Sequence, residues 1–192
     1  MAAARNPSVA FIVLMAGPGV SGAEVLVAQV AAIKEASGAS HDQALQEGEN
    51  ERQILTLLGT GVDRTAIEKK LRELGGGKIS DEQLKAQLKQ MQSPWFQYFL
   101  KYDPAVALQK VKCPVLAING EKDKQVLPGQ NLPAIRKALE AGGNKHFEID
   151  QLAGLNHLFQ TAKTGAPGEY AEIEETISPV ALNRISSWIA KQ

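Results

Sequence analysis

The stretch FIVLMAGPGVSGA, residues 11–23, decides how this chain is read. Residues 11–15 are apolar without a break, and Gly17-Pro18-Gly19 follows at once. A strand with one wet face alternates apolar and polar residues; a strand covered on both faces does not, and such strands belong to parallel sheets. Residues 11–15 are therefore predicted to be a doubly covered strand. Gly17, Pro18, Gly19 and Gly22 make a tight loop behind it. Residues 23–36 then read as a helix with Val25, Ile33 and several alanines on one side.

The same alternation returns in the second half. PVLAIN (114–119) reads as a strand, residues 132–141 as a helix closed by Gly142-Gly143, HFEI (146–149) as a strand, and residues 179–191 as a last amphipathic helix. Strand–helix–strand–helix predicts an α/β fold with a parallel sheet and crossover helices. Between the first and second strands the texture differs. Ile54, Leu57 and Leu58, then Ile67, Leu71 and Leu74, then Leu84, Leu88 and Met91 recur at helical spacing, with charged and amide residues between them. Gly75-Gly76-Gly77 breaks two of these helices, and Ser80 reads as an N-cap with Glu82 and Gln83 in the first turn. Ser93-Pro94 opens an aromatic helix, PWFQYFLKY, and Asp103-Pro104 starts another that ends near Lys110. The expectation is a core made of residues 1–22 and 103–192, with residues 23–102 inserted as a helical cap or lid.

The composition is that of a soluble globular protein, with 44% hydrophobic and 22% charged residues. Twenty-one basic residues balance twenty-one acidic ones, so no net charge favours nucleic acid or an anionic membrane. No apolar run approaches the about 20 residues that a membrane span needs. One arginine followed by the apolar residues 9–16 has the layout of a secretion leader, but a strand ending at Gly17-Pro18 accounts for the run equally well. Cys113 is the single cysteine, read as a buried structural thiol; one cysteine makes no internal disulfide, and a cytoplasmic location is expected.

Ligands of open parallel sheets sit at the carboxyl ends of the strands. Three loops qualify: GPGVSGA, GEKDKQV (120–126) and LAGLNHLFQ (152–160). The second offers Asp123 and the third His157. A lone histidine in an apolar stretch is usually a core residue; an acid at the neighbouring strand end makes it a candidate base. A carboxylate and an imidazole so placed are the orienter and base of a nucleophilic triad. The three histidines show no H-x-H or H-E-x-x-H spacing, so no metal site is expected. GPGVSG lacks the G-x-G-x-x-G of a dinucleotide site and the Gly-Lys-Ser/Thr of a phosphate loop, so no cofactor is expected either. The aromatic residues Trp95, Phe96, Tyr98 and Phe99 line an acyl pocket or, more ordinarily at helical spacing, pack in a core.

CPVLAINGEKDKQVLPGQNLPAIRKAL (113–139), LAGLNHLF (152–159) and ISPVALNRISSWI (177–189) together resemble the C-terminal half of α/β-hydrolases. The nearest group is the bacterial esterase-like and dienelactone-hydrolase-like members with a helical cap. The resemblance runs from about Val9 to Ile189. It implies Asp123 as triad acid, His157 as base and Gly120 as the residue that lets the turn present Asp123. PWFQYFLKYDP is similar to the family's return from cap to sheet. The family carries its nucleophile on a G-x-S-x-G elbow upstream of the acid and base. This sequence holds no such motif, so the implied fold is a truncated α/β-hydrolase, lacking the part that bears the elbow and an oxyanion donor. GVSGA (19–23) is a relaxed G-x-S-x-A between strand and helix, which makes Ser21 the candidate nucleophile and the backbone amides of Gly17, Gly19 and Gly22 the candidate oxyanion donors.

Two functions are thereby expected as alternatives. One is a serine-hydrolase-like esterase acting on small acyl esters through Asp123 and His157, with Ser21 or water as nucleophile. The other is a catalytically inactive hydrolase half that serves as an oligomeric or partner-binding module. An apolar first strand at a sheet edge also predicts a homodimer or larger oligomer, joined through that strand or the helices beside it.

Overall fold

Val115, Leu116, Ala117 and Ile118 are all fully buried, and so is every other residue of their strand. A strand with apolar side chains on both faces must have a layer on each side of it, and it has. In the computed structural model, which describes residues 1–59, 64–74 and 79–192, the strand Val115–Gly120 (β2) lies between β1, Ile12–Met15, and β3, Phe147–Leu152. Both pairings are parallel: Ile12 stands opposite Val115, and Val115 opposite Phe147. The result is a short, open, all-parallel sheet flanked by helices, an α/β fold as expected.

Side chains alternate across this sheet, and the two faces build two cores. Val115 and Ala117, with Ile12, Leu14, Phe147 and Ile149, meet Leu132, Ile135, Ala138 and Leu139 of one helix (Pro128–Ala141) and Leu108 of a shorter one (Pro104–Leu108). Leu116 and Ile118, with Val13 and Leu152, meet Ala181, Ile185 and Trp188 of the last helix (Pro179–Ile189). Phe11 closes that face edge-on to the Trp188 ring, 5.6 Å away. β1 is the open edge. Ile12 and Ala16 donate to Pro114 and Ile118 across the ladder, so the backbone groups of Val13 and Met15 turn the other way.

Among the described residues, five helices fill the interval between β1 and the short helix: α1, Gly22–Ala36; α2, His41–Gly59; α3, Arg64–Leu74; α4, Asp81–Met91; and α5, Pro94–Lys101. Pro104–Leu108 is α6, Pro128–Ala141 is α7 and Pro179–Ile189 is α8. Ile54, Ile67, Leu71, Leu84 and Leu88 join α2, α3 and α4, the same leucines and isoleucines whose spacing predicted the helices. Leu55, Phe96 and Leu100 tie α2 and α5 to Ala23, Leu26 and Val27 of α1. Ser80 and Ser93 cap α4 and α5 as expected, each hydroxyl accepting from an N–H three residues on. Gly75-Gly76-Gly77 lies outside the described residues.

Three expectations differ from the structure. α7 begins at Pro128 rather than near residue 132: Pro128-Gly129 reads as a breaker, yet proline suits the first helical turn, where its missing N–H has no partner to lose. β3 runs on to Leu152, because Glu148 and Asp150, which interrupt its apolar pattern, are neutralised by Arg184 of α8. Trp95 and Tyr98 face solvent, 67% and 54% exposed, so of the four aromatics only Phe96 is buried.

Burial, and the Glu47 carboxylate second, push the Glu51 carboxyl on α2 above the usual carboxylate range. The folded chain thus holds this proton more tightly than the unfolded one. That stabilisation is present at low pH and lost as pH rises through the folded value. Glu51→Gln is expected to raise Tm at neutral pH by about 1–3 °C and to leave it unchanged near pH 4, read by thermal melts at both pH values.

Candidate active site

The loops that follow β2 and β3 are laced together before any side chain is considered. Glu121 and Lys122 donate their backbone N–H groups to the carbonyls of Leu152 and Leu155; the Glu121 carboxylate then adds a side-chain bond by accepting from the Gly154 N–H. A Cβ on Gly120 would stand 2.2 Å from the Leu155 oxygen and 2.5 Å from that of Asn156. Only glycine allows this approach, and the approach sets His157 beside the turn that carries Asp123.

Asp123 is 1% exposed. A charge taken from water must be met by donors, and four meet this one. Oδ1 accepts from the backbone N–H of Gln125 at 2.8 Å and of Val126 at 2.9 Å. Oδ2 accepts from Asn119 Nδ2 at 3.1 Å and lies 2.9 Å from His157 Nδ1. A carboxylate only accepts, so Nδ1 donates its proton to Asp123, and the tautomer this selects carries its lone pair on Nε2. The His157 side chain is 26% exposed, and Nε2 has no protein partner among the described residues.

The loop that presents His157 is held from inside by Asn156, which is fully buried. Its Oδ1 accepts from the N–H groups of Leu158 and Gln160, and its Nδ2 donates to Gln160 Oε1. Phe159 takes the left-handed conformation, φ 60°, to close the turn. A local side-chain-to-backbone bond is what asparagine does in turns, so the Asn156 beside His157 was the available signal for this role. Beyond the pair, Gln125 donates to the Tyr170 hydroxyl at 3.1 Å, and Gln29 of α1 stands 3.5 Å from Gln125. Burial raises the Tyr170 phenol above its ordinary range, and the nearby Asp123 charge adds to the rise. Tyr170 lies on a 3-10 helix, Pro167–Glu172, in a stretch without periodicity, and nothing in the sequence marked it.

Asp123 and His157 come together; Ser21 does not join them. Its backbone is extended (φ −60°, ψ 153°) and it is the N-cap of α1. Its hydroxyl donates to Glu24 Oε2 at 2.7 Å and accepts from the Glu24 N–H, while the Glu24 carboxylate also takes the Ser21 N–H. A serine followed by glutamate three residues later is a capping box, and here that signature outweighs the relaxed elbow. The strained residue of the connection is Ala16, buried at φ 48°. The Gly19 N–H, expected as an oxyanion donor, is bonded to Asn131 Oδ1 at 2.8 Å, and a Cβ there would strike the Asn131 carbonyl. Gly22 opens α1 directly against the Phe99 carbonyl. A Cβ on Gly17 would meet only the Leu14 side chain, at an ordinary contact distance of 3.5 Å.

His146 lies at the amino end of β3, away from this site, and His41 pairs with Glu35. No group of three metal-ligating side chains occurs among the described residues. Comparison of the chain with protein-family models and with curated proteins finds no match.

Gly120→Ala is expected to lower the unfolding free energy by about 2–3 kcal/mol, because backbone rather than a flexible side chain stands in the way. Urea denaturation of the two proteins checks this.

Proposed function

We propose that the chain is a hydrolase of small carboxylic esters, of the α/β-hydrolase kind, with His157 as general base and Asp123 as the acid that orients it. The observation that carries the reading is the 2.9 Å contact between a buried, fully hydrogen-bonded carboxylate and an imidazole whose other nitrogen has no partner among the described residues. The carboxylate fixes the tautomer and stabilises the imidazolium formed during reaction. The order of acid and base in the chain, each in the loop after a parallel strand, supports the family resemblance. The helical block α1–α5 would be the cap over this site, and the enzyme would work in the cytoplasm; no helix among the described residues is long and apolar enough to cross a membrane.

Ser21 would have to leave its capping box to act as nucleophile, so water is the hydroxyl that the geometry leaves to Nε2. Nε2 takes a proton as the water oxygen attacks the ester carbonyl. The tetrahedral intermediate then collapses, Nε2 returns the proton to the departing alkoxide, and acid and alcohol are released.

Hydrolysis of p-nitrophenyl acetate and butyrate tests the reading. His157→Ala and Asp123→Asn are each expected to lower kcat by about 100-fold or more. Wild type no faster than His157→Ala would overturn it. Ser21→Ala separates the nucleophiles: retained turnover means water, and lost turnover, with a fluorophosphonate adduct on Ser21 in the wild type, means the serine.

The second reading is a non-catalytic oligomeric module, favoured by the open β1 edge. Val13 and Met15 present unpaired backbone there, and Met15 is an exposed apolar side chain. Two copies related by a two-fold axis would pair β1 with β1 and bury both edges. Light scattering after size-exclusion chromatography is expected to give twice the chain mass, and Val13→Pro to give the monomer. A wild-type monomer at micromolar concentration would remove this reading.

A further inference from the structure

Asn119 interrupts the apolar run of β2. Val115 and Ala117 point to the α7 face, and the next side chain on that face is an amide, fully buried. Its two Nδ2 protons are both used, one on Asp123 Oδ2 at 3.1 Å and one on the Val126 carbonyl at 2.7 Å. Its Oδ1 is buried without a partner among the described residues. Buried acceptors are ordinarily satisfied, so an orphan asks what the group is kept for. Turning the amide over gives no relief, because Oδ1 would then meet a carboxylate and a carbonyl, both acceptors. The orientation is dictated by the two acceptors, and the orphan is its consequence.

We infer that Asn119 is a positioning residue for the Asp123–His157 pair, an inference that rests on the catalytic reading of that pair. Asp123 Oδ1 is anchored by two backbone N–H groups of its own turn. A carboxylate pinned at one oxygen still turns about that anchor. Asn119 pins the other oxygen, the one that holds His157 Nδ1, from a central strand buried on both faces. The same amide binds the Val126 carbonyl, so the turn and the carboxylate are fixed to β2 by one side chain. Misplacement of the base by a fraction of an ångström is what its loss would bring, with substrate binding untouched.

Asn119→Ala and Asn119→Thr test this in the full chain. Threonine keeps one donor on a shorter arm. For alanine the expected result is a kcat lower by about tenfold to a hundredfold, with KM within about twofold, and a partial recovery of kcat in the threonine variant. The second readout needs no turnover. The His157 Nδ1 proton is expected as a downfield resonance in wild type, lost in Asp123→Asn, and exchanging with solvent at least about tenfold faster in Asn119→Ala. An alanine variant that matches wild type in both kcat and proton exchange overturns the inference while leaving the pair catalytic. Wild type without esterase activity removes the catalytic reading, and the proton exchange then decides the positioning claim by itself. Loss of the native fold in both variants, read by circular dichroism, assigns Asn119 to sheet stability and overturns the inference as well.

Discussion

Two carbonyl oxygens, those of Leu155 and Asn156, occupy the space a side chain at residue 120 would need. This is the constraint on which the site depends. The sheet places the ends of β2 and β3 side by side, but neighbouring strand ends are some 5 Å apart and their loops are free to diverge. The glycine removes that freedom: the β2 turn sits against the β3 loop, the backbone bonds of Glu121 and Lys122 close the seam, and Asp123 meets His157 without reaching for it. The carboxylate–imidazole hydrogen bond follows from the seam. A single surface ion pair contributes little to stability, whereas packed and hydrogen-bonded backbone holds geometry.

The pair is asymmetric, and the asymmetry is chemical. Asp123 is sealed by four donors, two of them backbone, so it has no remaining role except to hold the imidazole. His157 keeps one nitrogen bound and the other without a protein partner among the described residues. A structural histidine in a core finds partners for both nitrogens or stays neutral among apolar groups. The His157 side chain is 26% exposed, whereas the carboxylate that orients it is sealed. The buried Asn119, Asn131 and Asn156 serve the same end. Each fixes one loop at the carboxyl edge: the Asp123 turn, the loop after β1 and the His157 loop.

What was legible in the sequence follows from where information is local. Unbroken apolar runs announce strands, and residues 11–15 and 114–119 became β1 and β2; only β2 is buried on both faces, whereas β1, expected to be doubly covered, lies at the sheet edge, half-buried from Ile12 to Leu14 and exposed at Met15. Leucines and isoleucines at intervals of three and four announce helices, and they became the contacts among α2, α3 and α4. Asp123 and His157 were legible because each follows a readable strand by a few residues. Asn156 left a local signal, an asparagine in a turn, but Asn119 and Asn131 left none, because their partners are fixed only once the turn has formed or lie far away in the chain. Asn131 binds Gly19, 112 positions distant. Tyr170 was illegible for the same reason: it comes to Gln125 through a 3-10 helix that has no period to detect.

Ser21 shows how one short motif carries two meanings and which of them the surroundings select. G-x-S-x-A after a strand describes an elbow, and S-x-x-E before an apolar run describes a helix cap; residues 19–24 satisfy both. An elbow needs its serine in a strained, sharply turned backbone with the hydroxyl facing the base. A cap needs an extended backbone with the hydroxyl facing the helix. Both conditions cannot hold at one residue, and the backbone of Ser21 is the extended one. The long α1, with the packing of α2 and α5 resting on it, has four N–H groups at its start that require acceptors. Ser21 and Glu24 answer that demand, and the same demand fixes where α1 begins, directly against the carbonyl of Phe99. The helix start is therefore set by the cap on one side and by a close backbone contact on the other, which leaves the hydroxyl no conformation that serves both the helix and His157.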